Sequence, residues 1–344
     1  MTAELAVDGV RTTPARAGAG PWRQARARLL RNRSAMIAAL FLVLIVAACL
    51  LAPLYASSIA HTDPFVSNVS GTTVVGGQQV QVLQQSSEGL GLGVTPIGPT
   101  WDAGHYLLGA DNQGRDVMAR LLYGGRNSLL IGIGSAVLCC FLAVVLGVLA
   151  GYFGGWIDAV LSRFFDVIWA FPVYLLAICL SVVLLTSGLH VGPIHVDAGS
   201  LWLPVIIIAL IYVPYVARPL RGQVMALRGK EFLHAAVGLG ASDVRIMRRE
   251  VLPNVLPTVI VFLPLMTALN MLTESALSFL SVGVQSPDAS WGTIINDGLA
   301  LLYTRPMITI SAGLFVALTA VALNVFGDGV RDALDPNARL RGGA

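Results

Sequence analysis

The chain has 344 residues, of which 56% are hydrophobic and 12% charged, with a formal net charge of +3. A mean hydropathy of +0.75 excludes an ordinary soluble domain, and so small a net charge points to no nucleic-acid partner. The four cysteines (Cys49, Cys139, Cys140, Cys179) have no CxxC spacing and no histidine partner. They imply neither a metal site nor a disulfide framework.

Residues 1–33 form a basic tail, rich in Ala, Gly and Arg, that is expected to begin disordered. Within it Trp22–Arg33 reads either as a basic amphipathic helix on anionic membrane lipid or as a topogenic charge cluster. Residues 34–56 hold the first transmembrane helix, with its apolar run at Ser34–Tyr55. That run is too long for the ~7–15 residues of a secretory h-region, and Val46-Ala47-Ala48-Cys49 lies too deep in it for a lipoprotein cleavage box. Residues 57–127 read as an extracytoplasmic loop subdomain and elbow. In it Thr72–Val75, Gly76-Gly77 and Gln78–Val82 predict a short β-hairpin, because the Gly pair supplies the φ > 0 turn.

The core, 128–335, carries five further runs of the length a bilayer crossing needs, ~20 residues. They lie at about Ser128–Ala150, Phe164–Thr186, Leu201–Ala217, Leu256–Phe279 and Pro306–Phe326. Residues 336–344 form a short C-terminal tail. The fold class is therefore an all-α polytopic membrane protein with six transmembrane helices. Seven basic residues precede the first span, seven lie between Arg218 and Arg249, and none falls between Ser34 and Gly114. The positive-inside rule puts both termini and the 218–250 loop in the cytoplasm and 57–114 outside. Arg115, Arg120 and Arg126 then fall on the outer side.

The most informative segment is the polar, basic loop Lys230–Pro253, KEFLHAAVGLGASDVRIMRREVLP. The small residues Ala235 and Ala236 let a helix approach a partner closely, and Gly240 permits a sharp turn. Ser242 suits the cap of a second helix whose positive end favours Asp243. Pro253 is expected to end that helix at or before Leu252. A second segment, LLGADNQGRDVMARLLYGGRNSLLIG at Leu107–Gly132, places Asp111 and Asp116 beside Arg115, Arg120 and Arg126, a charge network able to seat an elbow helix. A third feature is Glu274, in an apolar run with Asn270, Thr273, Ser275 and Ser278. An acid at membrane depth costs ~2.5–3.5 kcal/mol on insertion scales, so Asn270, Glu274 and Ser278 face either a solute path or a partner helix. No nucleophile–base pair, GxxxxGK[ST] phosphate loop or zinc motif occurs, so no catalytic or metal residue is assigned.

The 230–253 loop resembles the EAA loop of ABC-importer permeases, with His234 in place of the leading Glu and Glu250 where an apolar residue or His is usual. Glu231 stands three residues earlier on nearly the same face. The 107–132 segment resembles the LGTDxxGRDxxSRLxxGxRxSLxxG signature of C-type permeases of the dipeptide, oligopeptide and nickel importer family. Arg163–Pro172, Glu274–Gly292 and Gly327–Pro336 are similar to that family's RxxDxxxAFP, ESxLSFLGLGxxxPxPSWG and GDxLRDxLDP segments. The motifs run in family order, leaving 61–104 as an unmatched insert.

The resemblance implies a type I ABC importer permease fold in a prokaryotic plasma membrane. It implies a B-type permease partner, two ABC ATPase subunits and an extracytoplasmic solute-binding protein. ATP and Mg would be bound by the ATPases, with no cofactor in this chain. It implies that Glu231, His234, Ala235, Ala236, Leu239, Gly240, Ser242, Asp243, Leu252 and Pro253 meet an ATPase. The alternatives are an ion-gradient-driven secondary transporter and a membrane scaffold or sensor that recruits a cytoplasmic partner.

Overall fold

The computed structural model describes residues 21–85 and 93–335. The expected disorder of the chain start, the 336–344 tail and Pro336 of the last motif lie outside the described residues. Helix α1 (Pro21–Arg31) is the basic segment expected before the first span. It breaks at Asn32, whose side chain accepts from Ala35 N at 3.2 Å and so caps α2 (Arg33–Leu50). A short turn and a π-helical turn at Tyr55–Ala60 carry α2 towards the insert.

The remaining helices are α3 (Val117–Phe153), α4 (Gly155–Trp169), α5 (Val173–Ser187), α6 (Trp202–Arg228), α7 (Glu231–Gly238), α8 (Asp243–Phe279), α9 (Trp291–Leu299) and α10 (Met307–Leu334). Among the described residues α2, α3, α6, α8 and α10 are each long and apolar enough to cross a membrane. The sixth crossing can only be the pair α4–α5, which bends by 89°. This corrects the expected straight span Phe164–Thr186. Pro172 lacks an N–H and disfavours helix at Phe171, so α4 stops before it and α5 restarts after it.

The bend is held from α6. Both oxygens of Asp158 take the Arg221 guanidinium, Nη2 to Oδ2 at 2.6 Å, while Arg218 donates to Asp166 at 2.7 Å and lies 4.3 Å above the Trp169 ring.

Helix α3 is the centre of the packing, with α6 its most extensive neighbour. A Cβ at Gly147 would stand 2.9 Å from Ala217 O, and one at Gly151 2.7 Å from Arg221 O, so the two backbones touch where α3 has no side chain. Gly132 does the same against Met271 of α8. A second apolar cluster joins α2, the start of α3, α8, α9 and α10 through Cys49, Leu121, Met271, Trp291 and Ala312. Cys49, Cys139 and Cys140 are buried, as packing residues would be, whereas Cys179 is exposed on α5.

The insert between α2 and α3 contains the expected hairpin, β1 (Thr72–Val75) with β2 (Gln78–Gln81), in which Val75 pairs with Gln78. Its two turn residues have positive φ, +58° at Gly76 and +83° at Gly77. A second ladder pairs β3 (Leu83–Gln85) with β4 (Val94–Pro96). Val82, Ile97, Tyr106 and Ala110 form a small core beneath them, tied to the membrane part by Arg305 Nε donating to Pro96 O at 2.6 Å. A third hairpin, β5 (Leu189–Val191) with β6 (Ile194–Val196), lies between α5 and α6. The elbow expected within 57–127 is not a separate helix, because α3 itself begins at Val117.

Gly147→Leu should push α3 from α6 and cost about 1–3 kcal/mol of overpacking. Gly313→Leu, whose Cβ would meet nothing within 4 Å, is the control. Size-exclusion yield and apparent melting temperature in detergent should fall for the first substitution and hold for the second.

Candidate functional site

Helix α7 is followed by a tight turn in which Gly240 has φ +77°, a left-handed conformation that other residues adopt only with strain. The chain then enters α8 at Asp243. Ser242 has the extended backbone of a cap residue (φ −69°, ψ 153°), yet its side chain makes no cap hydrogen bond. Asp243 Oδ1 accepts from the Tyr152 hydroxyl of α3 at 2.8 Å.

Pro253 does not end the helix. It is passed in a continuous run to Phe279, preceded by a π-helical turn at Met247–Val251. The wider turn accommodates the missing proline N–H, which is why the expected stop at Leu252 is absent.

Glu231, His234 and Ala235 are exposed and Ala236 is half-buried, while Leu233 is the buried residue of α7. Phe232, Val237, Leu239 and Val244 are exposed, Leu239 at 87%, next to the exposed Arg245, Arg248 and Arg249. Exposed apolar side chains and cations on a single loop suit a partner with acidic and apolar groups.

Beside the insert the structure brings together three of the expected charged residues, Asp111, Arg115 and Arg120, with a fourth, Asp297. Asp111 accepts from Arg115 Nε at 2.7 Å and lies 3.3 Å from Arg120 Nε. Asp297 Oδ2 accepts from Arg115 at 3.2 Å and Arg120 at 3.0 Å. Burial pushes the Asp297 carboxyl upward, and the Arg120 and Arg115 guanidiniums oppose it. The four charges sum to zero, and they clamp the insert and the start of α3 to α9.

Two expected members stand apart. Asp116 caps α3 through Ala119 N at 3.0 Å and makes no ion pair among the described residues, because its position one residue before the helix commits an oxygen to the free N–H groups. Arg126 is exposed, its guanidinium 5.5 Å above the Tyr123 ring, on a face of α3 turned away from Asp111. Asp297 was missed because α9 is far away in sequence; its only signal is a lone acid in a short amphipathic helix.

Asn270, Glu274 and Ser278 share one face of α8 and all three are buried. That face meets α3. The Asn270 amide bonds the Ser135 hydroxyl at 3.0 Å, and Glu274 accepts from Ser128 at 2.9 Å and from Ser278 at 2.7 Å. Each of those two serines also accepts a backbone N–H, from Trp291 at 3.1 Å and from Val284 at 3.0 Å. Their protons are therefore committed to the carboxylate. Ser128 and Ser135, seven residues apart on one face of α3, meet Glu274 and Asn270, polar groups on successive turns of α8. The polar stripe is an interhelical joint within the chain, and at its Ser278 end it borders a cavity of about 200 Å³ shared with Arg115, Arg120 and Asp297.

Glu274→Leu should strand the Ser128 and Ser278 hydroxyls at about 1–3 kcal/mol for each buried group left unmatched. Glu274→Gln keeps one acceptor and should cost much less. Thermal unfolding in detergent is the measurement, with the order Gln above Leu expected.

Residues 143–340 match the family described as binding-protein-dependent transport system inner membrane component, and residues 20–69 match the N-terminal TM domain of oligopeptide transport permease C. The dipeptide transport system permease protein of Alkalihalophilus pseudofirmus is 34% identical over 93% of this chain and 91% of its own length. The glutathione transport system permease protein of Pectobacterium atrosepticum is 31% identical over 93% and 92%. The oligopeptide transport system permease protein of Haemophilus influenzae is 32% identical over 94% and 90%. Among solved structures, an inward-facing methionine ABC transporter superposes with a TM-score of 0.51 at 16% identity, over 63% of this chain and 97% of that one; at that identity the likeness concerns the fold. With a family match over more than half its length and relatives above 30% identity across nearly all of it, this chain belongs to the binding-protein-dependent transport system inner membrane components, as a multi-pass permease component of an ABC importer.

Proposed function

We propose that this permease forms half of the translocation path for peptides or similar small solutes. A B-type permease supplies the other half, and an extracytoplasmic binding protein delivers the solute. Two separate ATPase subunits hold ATP and Mg and hydrolyse the nucleotide, since the chain has no phosphate loop. The solute class follows the dipeptide, oligopeptide and glutathione transport named for its relatives.

The observation that carries the reading is the 230–253 loop. Its apolar residues Phe232, Val237, Leu239 and Val244 are exposed, and Val244 lies with Arg245, Arg248 and Arg249 around one surface hollow. An ATPase docked there would drive α7 and the start of α8 together, rocking the spans between inward and outward states. This orientation puts the loop and both termini in the cytoplasm and the insert outside, in keeping with the distribution of basic residues.

The outer charge network serves as a structural clamp. Glu274 serves as the α3–α8 anchor rather than as an acid of the path, because its oxygens are occupied by hydroxyls of its own chain. The same occupancy weighs against an ion-gradient transporter, for which Glu274 would be the coupling acid. A scaffold would have no use for a buried polar joint between two spans.

Gly240→Glu tests the docking surface. A Cβ there meets open space but takes a left-handed φ of +77°, and the substitution brings a carboxylate into a desolvated interface. Transport by the reconstituted complex should be lost, with the mutant permease still inserting and purifying in normal amounts. Unchanged transport would remove the coupling role from this loop.

A further inference from the structure

The docking loop meets the bundle through apolar contacts at Leu233, Ile246 and Val251, with a gap under part of α7. Helix α7 buries Leu233 alone among its residues, and a cavity of about 340 Å³ lies beneath it, lined by Tyr152, Phe153, Arg228, Leu233, His234 and Asp243 among others. Across a void there are no packed atoms to transmit a push. At the edge of that void the Tyr152 hydroxyl donates to Asp243 Oδ1 at 2.8 Å.

Tyr152 is the penultimate residue of α3 and only 8% exposed, and Asp243 is the first residue of α8. The bond therefore joins the inner ends of the same two helices whose outer parts are joined by Glu274 and Ser128. Next to Tyr152, Gly151 brings α3 against the backbone of α6, a Cβ there standing 2.7 Å from Arg221 O, and Arg221 in turn holds Asp158 of α4. A displacement imposed at Asp243 thus has a continuous route into α3, α6 and α4.

We propose that Tyr152 is a positioning residue that passes the movement of the 230–253 loop into the transmembrane bundle through its hydrogen bond to Asp243. The inference rests on the reading that an ATPase docks on that loop. Leu233 and Ile246 give the loop apolar contacts that tolerate sliding, whereas a hydrogen bond to a carboxylate is directional and fixes the register of α8 against α3. With the bond absent, α8 pivots about its outer joint and the loop moves without carrying the end of α3.

The experiment uses the complete complex with its partner permease and ATPase subunits in lipid nanodiscs. One spin label sits at Tyr303→Cys, a position 98% exposed, in a background of Cys179→Ser, and the second sits on an outer loop of the partner permease. The distance between labels is read with and without ATP and vanadate, alongside ATP hydrolysis, ATPase retention and thermal melting.

Tyr152→Phe keeps the buried ring and removes the hydroxyl. It should retain the ATPases and its melting temperature, yet shift the nucleotide-driven equilibrium back by about tenfold, the size expected of a lost hydrogen bond to a charged group. Asp243→Asn keeps an acceptor oxygen but loses the charge, so its response should fall between that of the unmodified complex and that of Asp243→Ala, which should match Tyr152→Phe. A full distance change in Tyr152→Phe, or a defect in Asp243→Asn equal to that in Asp243→Ala, would overturn the inference. Failure of the unmodified complex to hold the ATPases when the loop is intact would instead overturn the docking reading, and the role of Tyr152 with it.

Discussion

The permease depends on how closely other helices can approach α3. In lipid, apolar side chains gain little by leaving one hydrocarbon surface for another, so helices associate where backbones can touch and where polar groups can match. Helix α3 offers both along its 37 residues. Gly147 and Gly151 admit α6, Gly132 admits α8, and Gly125 admits Trp291 of α9. The two serines Ser128 and Ser135 take the polar groups of α8.

That arrangement divides the work between the two ends of the molecule. At the insert end, Asp111, Arg115, Arg120 and Asp297 cancel one another's charge and tie the insert, α3 and α9 into one block. Trp291 completes the block, wholly buried with its indole N–H donating to Leu121 O at 3.0 Å. At the opposite end, beside the 230–253 loop, charged pairs add to the apolar core. The Asp158–Arg221 and Asp166–Arg218 pairs hold the bent α4 to α6, and the loop stands over a cavity.

Long single-element features were legible in the sequence. Composition and run length indicated a polytopic helical protein, because a span must satisfy its own backbone and is therefore continuous and apolar. The Gly76-Gly77 hairpin was legible because turn chemistry is local, as was the turn at Gly240. The motif order brought the family within reach from residues alone. The errors were also physical. Phe171-Pro172 carried the signal for a broken helix, but a hydropathy window averages over it. At Pro253 the same rule was applied and failed, since a π-helical turn just before it absorbed the missing donor.

Pairing across the fold was decided only by tertiary structure. The sequence put Arg115, Arg120 and Arg126 in one group, and α3 separates Arg126 from the others by turning its side chain outward to Tyr123. It offered no reason to choose Asp297, 182 residues from Arg115, over Asp116 next to it in the chain. It left Glu274 open between a path and a helix joint, because one helix face looks the same from either side; the partners Ser128 and Ser135 are more than a hundred residues away. The bond between Tyr152 and Asp243 had no sequence signal at all. A local pattern fixes which face of a helix is polar, but what that face meets is fixed by the angle and register at which the helices pack, and those are set by the whole bundle.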